Sequence, residues 1–377
     1  MSGEVQRIYF VPGMFGFGQL AGYDYFQHVR RELETHYQRH GLAVSFVDVP
    51  APPTSSLRER ARILCTTISH SAGSAGPIHI VGHSTGGLDA RLVLSPGSNL
   101  KLPRELLAFR ARVQSLVTID TPHYGTPLAS YFATVSGARL LYALSLLTVV
   151  SLKLGEPSLA IFSRLLAGIG GIDTVFGGDM RMFSRVTDTI LRFVDRDRRG
   201  EITDYLSKVL VDQGAILQIS PEAMDLFNAA VTNAENVRYG SIAAASPKPT
   251  SLRAARRVRS PYMAFTAALY TTLYQFAAQP RERYGYAVPN HVELAQLRRF
   301  IEHDVSAEDN DGIVPTLSML WGELIWVVEA DHLDTLGHFH DDQRPAVHTD
   351  WLTSGARMTR ESFARMVKSI ADFQLPP

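Results

Sequence analysis

Gly82-His83-Ser84-Thr85-Gly86 is the stretch whose residue types and spacing can do covalent chemistry. It follows a short apolar run ending at Val81, which suits a buried strand. It leads into a segment with Leu88 and Leu92 four apart, one face of a helix. The pentapeptide fits G-x-S-x-G, in which a serine sits on a strained turn between strand and helix with its hydroxyl held outward. The flanking glycines are needed because a larger side chain would strike the neighbouring strand or helix. Glycine and serine also meet by chance in plain turns, but strand before and helix after favour Ser84 as a nucleophile.

A serine hydroxyl is a weak nucleophile near neutral pH. It needs a histidine to take its proton and a carboxylate to fix that histidine's tautomer and stabilise the imidazolium. The turn's fold places them in the order serine, acid, histidine, with the last two on loops after later strands. His332, directly after the apolar run Leu324 to Val328, meets this condition best, while His338, His340 and His348 lie further along. His83, beside the serine, reads as a packing or hydrogen-bonding residue. Three aspartates compete for the acid: Asp311 within Asn310-Asp311-Gly312, Asp309 two residues earlier, and Asp120 at the end of the strand after the serine. Each also suits a turn cap, the common use of Asp-Gly pairs. Chain order favours the 309/311 pair over Asp120.

The oxyanion formed by serine attack needs donors as well. Gly13-Met14-Phe15-Gly16-Phe17-Gly18 follows the strand Ile8 to Val11 and can present backbone N–H groups. In this fold one N–H from such a loop joins the N–H after the nucleophile, which nominates Met14 and Thr85. An ordinary strand–helix connection is the alternative.

The elements that must position these residues alternate. Ile8 to Val11 is a strand; Tyr25 to His40 has Phe26, Val29, Leu33 and Tyr37 at helical spacing; Ala43 to Val49 is a strand. A helix capped by Ser55 or Ser56 runs to about Ser69, and Val113 to Ile119 is a strand after the serine turn. This alternation predicts an α/β fold with a mostly parallel central sheet flanked by helices. From Leu128 to Arg281 the pattern turns mostly helical, with a returning core strand near Val237 to Ala243. The expected organisation is a core of 1–127 and 282–377, interrupted by a lid or cap at 128–281. Ala138 to Val150 and Leu159 to Ile169 are strongly apolar with glycine-rich joins, which suits a lid over an apolar site or simple core packing. The arginines at 253, 256, 257 and 259 read as a solvated loop or helix end rather than a phosphate site, and Arg192 to Arg199 as a solvated surface. Glu361 to Phe373 closes the chain as an amphipathic helix.

Composition narrows the function classes. With 377 residues and 45% hydrophobic content the chain can bury a large core, and its formal net charge of zero gives no reason to expect a nucleic-acid partner. The single Cys65 forms no internal disulfide, which fits a reducing compartment. The longest uncharged apolar run, Leu140 to Leu152, is too short to span a bilayer, and no signal peptide is visible. The expectation is a soluble cytoplasmic protein. No Cys/His cluster has zinc spacing, so no metal is assigned from spacing.

Several motifs resemble bacterial triacylglycerol lipases of the α/β-hydrolase superfamily. Val-Pro-Gly-Met-Phe-Gly is similar to their oxyanion loop, V-G-H-S-T-G-G to their nucleophile turn, and T-P-H-Y-G-T-P to the segment after the next strand. N-D-G-I-V-P and D-H-L-D resemble their acid and histidine loops, and I-S-P-E-A-M-D-L-F-N with V-R-Y-G-S resembles a further stretch. The likeness covers about half of the chain, and its shared order is more specific than any one motif. It implies an α/β-hydrolase fold with Ser84, Asp311 and His332 as the triad. Pro12 stands where many members have histidine, and 136–199 looks like extra lid material. Asp334 corresponds to a carboxylate that binds a structural calcium in secreted relatives; calcium wants several oxygen ligands, and the sequence assigns no second aspartate. No other cofactor is implied.

The resemblance implies a carboxylic-ester hydrolase acting on lipid-like acyl esters, with transient contact with a lipid surface. A thioesterase, polyester depolymerase or acyltransferase would share the first half-reaction. A catalytically silent binding protein on the same fold is the reading from a different class.

Overall fold

The computed structural model describes residues 4–16, 19–20, 23–134, 141, 144–145, 147–148, 191, 196–250, 258–278, 284–301, 303–340, 347–348 and 350–375. Six strands form one sheet: β1 Gln6–Val11, β2 Val44–Asp48, β3 Ile78–His83, β4 Val113–Ile119, β5 Arg238–Ala245 and β6 Glu323–Glu329. Their order is β2-β1-β3-β4-β5-β6 and every pair is parallel. The strand expected near 237–243 thus lies inside the sheet, between β4 and β6.

Strand alternation divides the core in two. Ile8 and Phe10 of β1 belong to one apolar cluster, whereas Tyr9 and Val11 belong to another. The first cluster takes Val29, Leu33 and Tyr37 of α1 (Gln27–Arg39), and Phe363, Met366 and Val367 of the last helix, Arg360–Gln374. The second takes Ala61, Leu64 and Ile68 of α2 (Leu57–Ser71), and Ala90 and Val93 of α3 (Thr85–Leu94). Helices therefore cover both faces, which is why β3 is buried at every residue and reads as a continuous apolar run. Ser56, not Ser55, caps α2 by accepting from the Glu59 N–H at 3.3 Å. This is the α/β-hydrolase architecture, with a large helical insertion between strands.

The insertion contributes α4 (Leu128–Phe132), α5 (Arg199–Val211), α6 (Gly214–Gln218) and α7 (Pro221–Ala230) before β5. Of the apolar stretch Ala138 to Val150, Leu141, Leu144 and Leu147 are helical and buried in the same cluster as α1. Leu159 to Ile169, the glycines from 168 to 178, and arginines 253, 256 and 257 lie outside the described residues. Among the described residues no helix is long and apolar enough to cross a membrane.

One buried ion pair ties the layers behind the serine turn. Arg60 of α2 donates through Nε to Asp89 of α3 at 2.8 Å, both side chains fully buried, and its other nitrogens donate to the carbonyls of Pro12 and Pro52. Breaking such a pair strands a charge in low dielectric. Arg60→Met is expected to lower the unfolding free energy by about 3–5 kcal/mol, read from urea denaturation. Arg60→Met combined with Asp89→Leu should recover part of that loss; a double variant as unstable as the single would assign the effect to the two carbonyls instead.

Candidate active site

The C-terminal ends of the parallel strands meet at one edge of the sheet, where open α/β sheets bind ligands. β3 ends at His83 and α3 begins at Thr85, leaving Ser84 alone in the turn at φ 53° and ψ −129°. That backbone is costly for a side chain bearing Cβ and persists only where the surroundings over-determine it. Here they do. A Cβ on Gly82 would stand 2.6 Å from the Gly87 nitrogen, one on Gly86 2.1 Å from the Val11 carbonyl oxygen, and one on Gly13 2.5 Å from Ser84 Cβ. The Ser84 N–H is bonded to the Ile119 carbonyl at 2.8 Å.

The structure brings Ser84, His332 and Asp311 together across 248 and 21 positions of sequence. His332 Nδ1 lies 2.6 Å from Asp311 Oδ2, and His332 Nε2 lies 2.9 Å from Ser84 Oγ. A carboxylate oxygen accepts, so Nδ1 carries the proton and Nε2 is left to accept from the serine hydroxyl. Asp311 Oδ1 accepts the N–H groups of Ile313 and Val314 at 2.9 and 2.7 Å, and its carbonyl accepts the His332 N–H at 3.1 Å. The turn that aims those donors back needs Gly312 at φ 93°.

The other candidates are placed differently. Asp309 accepts the Ser306 N–H at 2.6 Å and faces His303 Nε2 at 2.7 Å, the geometry of a turn cap. Asp120 accepts the Thr335 hydroxyl at 2.7 Å, and burial, then the nearby Asp311, pushes its pKa well above the carboxylate range. Its hydrogen bond goes to Thr335, whereas Asp311 is the carboxylate on His332 Nδ1. His338 is buried, and burial pushes its pKa well down; His348 faces Asp334 and Asp350; the side chain of His340 lies outside the described residues.

His83 turns from the serine but stays within the site. Its Nε2 is 2.9 Å from the His332 carbonyl oxygen and its Nδ1 2.9 Å from the Tyr25 hydroxyl. A carbonyl only accepts, so Nε2 carries the proton and Tyr25 donates to Nδ1. The backbone of Gly13 in turn bonds to the Tyr25 oxygen. Burial, reinforced by neighbouring His332, pushes the His83 pKa well below the usual value and keeps it neutral. One hydrogen-bonded chain thus links the loop after β1 to the loop after β6. Sequence reasoning missed Tyr25 in this role.

The loop after β1 is fixed from three sides. Arg60 takes the Pro12 carbonyl, Phe15 N–H donates to the Pro53 carbonyl at 3.0 Å, and Tyr205 of α5 donates to the Phe15 carbonyl at 2.7 Å. Phe15 itself sits at φ 62°. Among the described residues the Met14 N–H makes no hydrogen bond. Thr85 opens α3, where a helix has no internal acceptor for its N–H. Met14 and Ser84 both line the same cavity.

Above them lies a cavity of about 590 Å³, part of it open to solvent. Its walls include Met14, Ser84 and His332, with apolar Phe15, Ile219 and Trp351, and Thr148 from the insertion. It can hold an apolar chain against the serine.

Asp334 is buried two residues beyond His332. Its Oδ2 accepts the Asp331 N–H at 3.0 Å, and its Oδ1 lies 3.3 Å from His348 Nε2.

No family model matches the sequence, and no curated protein is similar to it. Solved structures do resemble the fold. Lipase 1 from Pelosinus fermentans is 17% identical with a TM-score of 0.54, covering 99% of this chain and 100% of that one. EstA from Clostridium botulinum is 16% identical with a TM-score of 0.51, over 100% of this chain and 90% of that one. Staphylococcus hyicus lipase is 16% identical with a TM-score of 0.51, over 98% and 95%. At such identities the likeness concerns architecture: this chain has the α/β-hydrolase fold that these bacterial lipases and esterases share.

Proposed function

We propose that the chain is a serine hydrolase of carboxylic esters with lipid-like acyl groups. The observation that carries this reading is the unbroken Asp311–His332–Ser84 relay, with bonds of 2.6 and 2.9 Å, opening on an apolar cavity. In the first half-reaction Ser84 Oγ bonds to the acyl carbon as its proton passes to His332 Nε2. The carbonyl oxygen takes the negative charge facing the Met14 and Thr85 N–H groups. Collapse expels the alcohol, which leaves with the proton from His332. Water repeats the sequence on the acyl-enzyme, and Asp311 carries the imidazolium in both halves without itself taking a proton. A reducing compartment belongs to the same reading and rests on the lone buried Cys65.

Ser84→Ala is expected to lower kcat on a p-nitrophenyl ester by about a million-fold in a protein with unchanged circular dichroism. Parallel assays on acyl-thioesters of equal chain length decide between ester and thioester hydrolysis. An active, folded Ser84→Ala protein would sink the mechanism.

Asp311→Asn should cost roughly 10⁴-fold in kcat, because an amide cannot hold the Nδ1–H tautomer. Asp309→Asn and Asp120→Asn should cost far less. If Asp120→Asn proves the most damaging of the three, the acid is misassigned.

Tyr25→Phe removes the donor to His83 Nδ1 and loosens the link between the two loops. We expect kcat to fall about tenfold, the value of one neutral hydrogen bond of about 1.4 kcal/mol, with KM little changed. A change in KM alone would place Tyr25 in substrate binding instead.

The apolar cavity predicts chain-length dependence. Each methylene buried adds up to about 0.8 kcal/mol, roughly fourfold in kcat/KM on soluble esters. Thr148→Trp, which narrows the cavity wall, should cut activity on long acyl esters while sparing acetate; equal loss on both would mean that the acyl chain lies elsewhere.

A further inference from the structure

Thr126 belongs to the motif T-P-H-Y-G-T-P, to which the hydrolytic reading gives no role. The loop after β4 that carries it is laced to the loop that carries Asp311. His123 N–H donates to the Ser318 carbonyl at 2.8 Å, Tyr124 N–H to Ser318 Oγ at 3.1 Å, and Ser318 Oγ to the Gly125 carbonyl at 2.7 Å. One further bond reaches the acid turn itself: Thr126 Oγ1 donates to the Ile313 carbonyl at 2.6 Å.

The direction of that donor is set from two sides. Thr126 Oγ1 accepts the Leu128 N–H at 3.3 Å, at the start of α4, and the Thr126 N–H donates to the Ile219 carbonyl at 2.9 Å. A hydroxyl has a single proton, and here Ile313 takes it. Thr126 is buried and stands in the wall of the cavity, but its hydroxyl has no proton left to offer a substrate.

The carbonyl of Ile313 and the N–H of Val314 belong to one planar peptide unit. Whatever fixes the direction of that carbonyl fixes the direction of the N–H. Asp311 Oδ1 accepts this N–H at 2.7 Å, the shorter of its two backbone bonds, the other being Ile313 N–H at 2.9 Å. Gly312, at φ 93°, gives the turn little resistance to rotation on the other side. A donor on the carbonyl also polarises the peptide and strengthens its N–H.

We propose that Thr126 is a positioning residue for the triad: its hydroxyl locks the peptide between Ile313 and Val314, and through it the Asp311 carboxylate against His332. The relay then begins at Thr126 Oγ1. It runs through the Ile313 carbonyl and the Val314 N–H to Asp311 Oδ1, and from Asp311 Oδ2 through His332 to Ser84 Oγ. The kinetic consequence rests on the ester-hydrolase reading; the positioning itself does not. Thr126 acts through Asp311, so its hydroxyl matters to turnover and not to substrate binding.

Thr126→Val keeps nearly the same shape and removes the donor. On p-nitrophenyl acetate and on a long-chain ester, kcat should fall about tenfold, by the same factor on both, with KM little changed. Thr126→Ser, which keeps the hydroxyl, should restore kcat. Ser318→Ala cuts a neighbouring link between the same two loops; it should lower Tm and leave kcat little changed. The low-field proton resonance of His332 Nδ1–H, identified by its loss in His332→Ala, reads the same positioning without any substrate. It should persist in Thr126→Ser and broaden or move upfield in Thr126→Val. If Thr126→Val fails to fold, Thr126→Ala takes its place. The proposal is overturned if the variant without the hydroxyl keeps wild-type kcat and resonance, or if Thr126→Ser is impaired as badly. A loss confined to KM, or one that grows with chain length, also overturns it and makes Thr126 a mere wall of the acyl site. A wild-type protein that hydrolyses no ester would sink the hydrolytic reading instead, and the resonance alone would then decide the role of Thr126.

Discussion

The rest of the site depends on the close approach of Gly13, Gly82 and Gly86 to the turn at Ser84. Each glycine faces an atom that leaves no room for a Cβ, and together they hold a serine at φ 53°. A non-glycine residue in such a region costs about 1–3 kcal/mol. The cost is offset elsewhere, chiefly by a parallel sheet buried on both faces. It buys one thing: a hydroxyl raised above the strand end, where loops from β1, β5 and β6 can reach it.

Those loops are held by polar links rather than by packing alone. The Asp311 carboxylate is oriented by two backbone N–H groups, His332 by Asp311, and the loop after β1 by Arg60, Tyr205 and Tyr25. The charges are sorted by the same means. Asp120 is buried beside Asp311, and two carboxylates in low dielectric cannot both ionise cheaply. The one supplied with backbone donors and an imidazole is Asp311.

Ser84 and His332 were legible because their signals are local: a glycine-flanked serine between strand and helix, and a histidine directly after the last apolar strand. The choice between Asp309 and Asp311 was not local. It depends on which carboxylate collects the N–H groups of Ile313 and Val314 and which collects Ser306, and chain order cannot separate positions two apart. Arg60, Tyr25 and Tyr205 were illegible for another reason. Their partners lie 48, 58 and 190 residues away, and an arginine or tyrosine at helical spacing looks like any half-buried surface residue. The strand Arg238–Ala245 was visible by its small apolar residues, but its place inside the sheet follows from topology, which periodicity does not encode.

His83 shows how a second imidazole can sit beside a serine without competing for its proton. The rings of His83 and His332 are 4.9 Å apart, close enough that two positive charges would repel strongly in a buried site. His83 commits its only proton to the His332 carbonyl and its lone pair to Tyr25, so no protonation site stays open. Burial lowers its pKa further, and each proton that His332 takes lowers it again. In the proposed reaction the positive charge is thereby confined to the ring facing Asp311. Had Tyr25 been phenylalanine, His83 Nδ1 would be a buried acceptor without its donor. The tyrosine's hydroxyl thus satisfies the ring nitrogen of His83 that faces away from His332.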